Sequence, residues 1–158
     1  MPKSPQFLAK RLRAEGEKMT TYFKKLNDDD WARTIYTEGG EWTIRNVLAH
    51  FVTAEQAFLK LFPSIVDGGE GVSKEFDIDR YNARQQEKTE KLSPSELLFA
   101  FEDVRAKMAE WVETLNEEDL EKEGRHPFLE ETIVEEMIKL VYMHNQLHYR
   151  DMRKSIRK

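Results

Sequence analysis

The chain contains no cysteine. That excludes disulfides, thiolate zinc sites and any protein-derived thiol nucleophile. Long apolar runs are also missing: none approaches the 18 or so residues of a membrane span, and the opening MPKSPQF lacks the apolar stretch of a signal peptide. A cytoplasmic protein with no membrane partner is therefore expected. There is no excess of basic charge either. With a formal net charge of −5 and a pI near 5.5, the chain lacks the basic footprint on which general nucleic-acid binding relies, so no nucleic-acid partner is expected.

Glycine and proline are scarce, at seven and five in 158 residues, and their placement is informative. Three of the glycines fall in PSIVDGGEGVSKEFD, residues 63 to 77, a long connection that suits a lid or a crossover. Pro5 after Ser4 and Pro94 after Ser93 look like first helical residues behind an N-cap. Pro63 reads as the stop of the helix that Thr43 opens. The lysines and arginines of the closing RDMRKSIRK suit a solvated helix end.

Apolar periodicity gives four long amphipathic helices and no strands. The first carries Leu8, Leu12, Met19, Phe23 and Leu26, and the acidic run from Asn27 to Asp30 ends it. The second runs from Val47 to Phe62, and a short polar helix follows from about Ile78 to Lys91. The third opens with the capping box Ser93-Pro94-Ser95-Glu96 and carries Leu97, Phe101, Val104, Met108, Trp111 and Leu115. A second capping box, Thr132 to Glu135, opens the last helix, which extends to about residue 156. Residues 1 to 158 read as one domain, an all-α four-helix bundle.

Chemistry is concentrated in histidine. His144 and His148 are spaced i,i+4 and continue the stripe of Met137 and Val141, so both rings lie on one inward face. His50 shares a face with Val47, Phe51, Ala54 and Phe58. Spacing alone is weak, since chance supplies such a pair in roughly one shuffled sequence in thirteen. Three inward imidazoles are stronger, because each unpaired ring in a core costs about 1 to 3 kcal/mol and a metal relieves that cost. A hydrogen-bonded cluster and a substrate-binding cluster are the alternatives. His126, before Pro127, reads as a surface or turn residue rather than a fourth ligand. Asn46 and Asp151 are placed either to orient an imidazole or simply on helix surfaces. Trp31 and Trp42 suit the bundle end or a pocket mouth.

Trp42-Thr43 opening a helix with His50 following, and His144-x-x-x-His148 on the last helix, resemble the DinB-like, or YfiT-like, four-helix-bundle family. The segments from Asp77 to Leu120 and from Gly124 to Arg157 look like that family's third and fourth helices with their connections. The resemblance implies an up-down-down-up bundle with its long connection between the second and third helices. It further implies a divalent metal on His50, His144 and His148. Zinc or nickel fits such a site best, and iron or manganese is also compatible.

The expected function is that of a metal-dependent transferase or hydrolase acting on a small molecule, with a low-molecular-weight thiol as one candidate cosubstrate. The alternative is a protein that binds or sequesters its ligand without turnover. A homodimer is expected too, from the family and from Leu98, Phe99 and Val112, which widen the apolar face of the third helix.

Overall fold

The computed structural model describes residues 4–38 and 40–156, so Arg157 and Lys158 of the basic end lie outside the described residues. Helix α1 spans Pro5–Lys24, with the Ser4 hydroxyl accepting from Phe7 N and Pro5 at its first turn. The acidic run that follows does not merely end α1. It folds into one turn of its own, α2 at Asp28–Trp31, because Asn27 and Asp30 form a reciprocal capping box.

Two short strands, β1 (Thr34–Tyr36) and β2 (Trp42–Thr43), pair antiparallel and deliver the chain into α3, Ile44–Val66. Thr43 caps α3 as the sequence indicates, with Asn46 answering in a capping box. Pro63 does not stop α3, which continues for three more residues. A proline near a helix end removes one ladder bond and leaves the final turn free to close through neighbouring donors. Here Asp67 N donates to Pro63 O and Gly68 N to Ile65 O.

Helix α4 is Ile78–Thr89, and α5 is Pro94–Glu113, opened by the expected Ser93–Glu96 box. After a 3-10 turn at Asp119–Glu121, β3 (Glu123–His126) and β4 (Glu130–Ile133) form a second antiparallel hairpin. The chain then enters α6, Val134–Ile156. Thr132 and Ile133 therefore lie in a strand that leads directly into the last helix. Both hairpins escape the sequence pattern because strands of two to four residues are too short for a period of two to register.

The core explains the topology. One half joins Leu8 and Leu12 of α1 to Phe62 and Ile65 of α3, Met108 and Val112 of α5, and Val134 to Val141 of α6. The other joins Met19 and Phe23 to Val47, Phe51, Leu97, Phe101 and Met152. The start of α1 is thus level with the ends of α3 and α5 and with the start of α6, the up-down-down-up arrangement. Because α3 and α5 run the same way, the chain must return along the bundle, and residues 67–77 with α4 make that return.

The connection is pinned rather than loose: Val72 N donates to Arg125 O and Arg125 N to Glu70 O. Gly71 sits at the crossing with φ +95°, where a Cβ would meet Arg125 O at 2.3 Å, so only glycine lets the strands approach. Residues 67–77 form a crossover and supply Val72 and Phe76 to a cavity wall. Val112 is fully buried and Leu98 packs against the core, which leaves Phe99, 75% exposed, as the outward apolar residue of that group.

A trihistidine candidate metal centre

His50, in the second turn of α3, meets His144 and His148 on the antiparallel α6. Their Nε2 atoms converge: His50 to His144 is 3.2 Å and His148 to His144 is 3.0 Å. The i,i+4 step on α6 brings the two rings edge to face, with centroids 4.6 Å apart. Phe51 closes the core side, 5.7 Å from the His144 ring and 5.6 Å from that of His148, and Trp42 packs 5.2 Å from His50. Trp31 stacks on Phe23 at the bundle end instead.

Burial holds all three imidazoles below their ordinary value. His50 falls to about 4 and His144 to about 2, each pushed further by its neighbouring imidazoles. For His148 burial also lowers the value, while the Asp151 carboxylate works against it. Neutral rings with converging nitrogens are what a metal requires. Two nitrogens each about 2.0–2.1 Å from a tetrahedral zinc lie about 3.3 Å apart. The two His144 spacings fit that with little movement, and the three donor nitrogens all lie within 4.8 Å of one another.

The proton positions follow from the outer contacts. The Tyr36 hydroxyl, on β1, donates to Asp151 Oδ2 at 2.5 Å and lies 2.8 Å from His148 Nδ1. A carboxylate can only accept, so it takes the single phenolic proton, and the Tyr36 oxygen is left to accept from His148 Nδ1–H. That tautomer frees the His148 Nε2 lone pair to face the other two rings. Burial and the Asp151 bond both raise the Tyr36 pKa, keeping the phenol protonated. Asp151 thus orients an imidazole through Tyr36. Asn46 does not: its side chain caps Thr43 and donates to Gln86 Oε1, tying α3 to α4.

Beneath the histidines lies a buried network that periodicity does not single out. Arg105 of α5 donates to both oxygens of Glu55 on α3, to Asn145 Oδ1 on α6 and to Leu12 O on α1. It joins the four long helices beside His144. Gly16 makes room for it, since a Cβ there would stand 2.8 Å from Arg105 Cγ.

A cavity of about 360 Å³ opens beside the centre, with His50 and His144 in its wall and an otherwise largely apolar lining that includes Ala54, Phe58, Leu61 and Leu140. The hollow of about 490 Å³ between α1 and α5 is more open and is lined by charged side chains such as Arg13, Glu17 and Lys24, away from the histidines. His126 is not the surface residue its loop-like sequence suggests. It ends β3 at 2% exposure and lines the apolar cavity.

The DinB superfamily profile matches residues 11–152. Among solved structures, YfiT from Bacillus subtilis, described as a probable metal-dependent hydrolase with an unusual four-helix bundle topology, superposes with a TM-score of 0.80 at 17% identity. That match covers 97% of this chain and 86% of the other. A mycothiol-dependent maleylpyruvate isomerase gives 0.75 at 15% identity over 94% of this chain and 60% of its own. The colibactin self-resistance protein ClbS, solved in complex with double-stranded DNA, gives 0.77 at 12% identity over 98% and 96%. A search of curated protein sequences yields no match.

Proposed function

The chain belongs to the DinB superfamily, and from that premise we propose that it is a divalent-metal protein whose ligands are His50, His144 and His148. In this reading it is a metal-dependent transferase or hydrolase acting on a small apolar molecule. The observation that carries the reading is the convergence of three Nε2 atoms, 3.0 and 3.2 Å apart, in rings that burial keeps neutral. Zinc or nickel suits the all-imidazole set best. A divalent ion supplies Lewis acidity, which lowers the pKa of a water or thiol and polarises a carbonyl.

The chain's own residues supply the rest. Tyr36 and Asp151 fix the tautomer and direction of the His148 ring. Three protein ligands leave coordination positions open, and the apolar wall beside His50 and His144 favours a substrate body over bulk water. With no cysteine in the chain, a thiol nucleophile arrives as a cosubstrate. A mycothiol-dependent neighbour of the same fold makes that class the first to test.

Two expectations take a different weight. The net charge of −5 still disfavours nucleic acid as a general partner, but the DNA complex of ClbS means that the fold itself does not exclude it. A twofold dimer now rests on Phe99 rather than on a wide apolar face. Light scattering tests it: a mass near 18.7 kDa rejects the dimer, and twice that supports it.

Elemental analysis of the purified protein, followed by thermal melts with zinc or nickel, tests the metal reading. Added metal should raise the melting temperature at pH 7.5, and His148→Ala should abolish the gain. Full stabilisation of that variant would mean the ligands are misassigned. A screen of thiol plus electrophile, and of activated esters, then separates transferase from hydrolase. Tight ligand retention without turnover would favour the sequestering alternative.

A further inference from the structure

Apart from its histidines, the cavity beside the metal centre draws its polar side chains from one element. Helix α4 contributes Ile78, Asp79, Tyr81 and Asn82 to the wall, the i, i+1, i+3 and i+4 positions of a single helical face. Asp79 is exposed, and Tyr81 and Asn82 are half-buried. None of these three side chains has a hydrogen-bond or ion-pair partner among the described residues. Unlike Tyr22 Oη and His126 Nε2, which are sealed from solvent, their polar atoms stay accessible.

No lysine or arginine lines the cavity, and Asp79 is its one carboxylate. A carboxylate can only accept hydrogen bonds, and the Asn82 amide oxygen and the Tyr81 hydroxyl oxygen can accept as well. Burial raises the Tyr81 pKa, so the phenol stays neutral. Phe76, 36% exposed at the rim, packs against Tyr81 with ring centroids 5.5 Å apart. Among the described residues the cation–ring contacts fall on Tyr142, Tyr149 and Phe101, so the rings of Phe76 and Tyr81 carry none of the chain's own cations.

An alkylammonium group has three N–H donors and no acceptor. It is attracted both to a carboxylate and to aromatic faces, whereas an anion here meets a like charge that no neighbouring cation offsets. We propose that this face of α4 recognises the ammonium group of an apolar primary amine. Asp79, with Tyr81 and Asn82, accepts from the nitrogen at the rim beside the rings of Phe76 and Tyr81. The aryl or alkyl body lies against Phe58, Leu61 and Leu140, in the cavity whose wall holds His50 and His144. Asp79 also stands in the first turn of α4, where a carboxylate favours the helix dipole. That role is indifferent to the charge of a ligand, so selectivity among ligands separates the two.

This recognition rests on the reading that the cavity takes the substrate, and it does not depend on the ion. The probes are 3-phenylpropylamine, 3-phenylpropanol and 3-phenylpropionate, which share one body and are cationic, neutral and anionic at pH 7.5. Binding is followed by NMR titration of metal-free protein, where an amine cannot bond to a metal, with the methyl groups of Leu61 and Leu140 reporting entry into the cavity. It is then repeated with zinc. The variants are Asp79→Asn, at an exposed position, and Phe76→Leu, which keeps apolar bulk and removes the ring face.

The amine should bind about three- to tenfold more tightly than the alcohol, and the anion most weakly. That advantage should shrink as salt is raised. Asp79→Asn should bring the amine to the level of the alcohol and leave the alcohol unchanged, and Phe76→Leu should weaken the amine more than the alcohol. Equal affinity of amine and alcohol, tightest binding of the anion, or equal losses for amine and alcohol in Asp79→Asn would overturn the proposal while leaving the cavity as a ligand site. If none of the three probes moves the cavity methyl groups, the substrate reading of the cavity falls with it. Failure of zinc uptake with the amine preference intact would sink the metal reading alone.

Discussion

Tyr36 and His148 are 112 residues apart in sequence, yet the phenolic oxygen of one lies 2.8 Å from Nδ1 of the other. Strand β1 carries Tyr36 to this contact, and the proton that Tyr36 gives to Asp151 is what obliges it to accept from the ring. Removing a group that orients a metal-bound histidine commonly costs about 10- to 100-fold in affinity. Tyr36→Phe should weaken zinc binding within that range, measured by competition with a chelating dye. Asp151→Asn should weaken it less, since an amide oxygen still accepts from the phenol. Unchanged affinity in Tyr36→Phe would remove the relay from the site.

The pH response of the metal-free protein follows from the depressed histidines. Their ordinary value is 6.5, while burial brings His50 and His126 to about 4 in the folded state. Between those values the unfolded chain binds more protons than the folded one, so stability rises with pH. Each such ring contributes at most about 1.4 kcal/mol per pH unit. Denaturant midpoints should therefore be flat above about pH 7 and fall as pH drops from about 6.5 toward 4. Zinc-loaded protein should lose its extra stability over about pH 6 to 5, where protons displace the ion. A midpoint that does not move between pH 7 and 4.5 would mean the rings ionise freely inside the fold.

Arg105 and Glu55 form a doubly bonded pair in which both side chains are about 96–97% buried. Deleting one member strands the other charge, at a cost of about 3 to 5 kcal/mol. Arg105→Met should lose that much in urea unfolding. The double variant Arg105→Met, Glu55→Leu should recover a good part of it. If the single substitution is neutral, the network contributes nothing net.

Gly71→Ala tests the pinned crossover. A left-handed residue costs about 1 to 3 kcal/mol when it is not glycine, and the added methyl also strikes the Arg125 backbone. A lower melting temperature and faster proteolytic cleavage within residues 67–77 are expected. Protease resistance equal to that of the wild type would show that the bridge to β3 does not hold the segment.

The helices are legible because their caps and stripes are local. Ser93 with Glu96, and Leu97 through Leu115, act over a few residues, and periodicity reads that range well. The three inward histidines are legible for the same reason. What escapes is whatever depends on contacts across the chain. His126 looks like a turn residue until Phe58 and Phe62 are seen to cover it. Tyr36 has no local pattern to mark it, because its partners lie on α6. Glu55, Arg105 and Asn145 each look like ordinary helix polarity, and only their convergence makes them a network. Pro63 misleads in the other direction, since a residue that breaks helices is tolerated one turn from an end.

The separation of His50 from His144, 94 residues along the chain, has a consequence for biosynthesis. A growing chain that has made everything through α5 holds just one of the three imidazoles, and a single imidazole is a poor grip on any ion. The missing pair arrives together on α6, the helix that also fills the remaining side of both halves of the core. Tertiary closure and assembly of the centre are therefore one late event. Truncated or stalled chains would lack two of the three imidazoles, and if the proposed centre binds an ion, that ion would be taken up only by molecules that have finished folding.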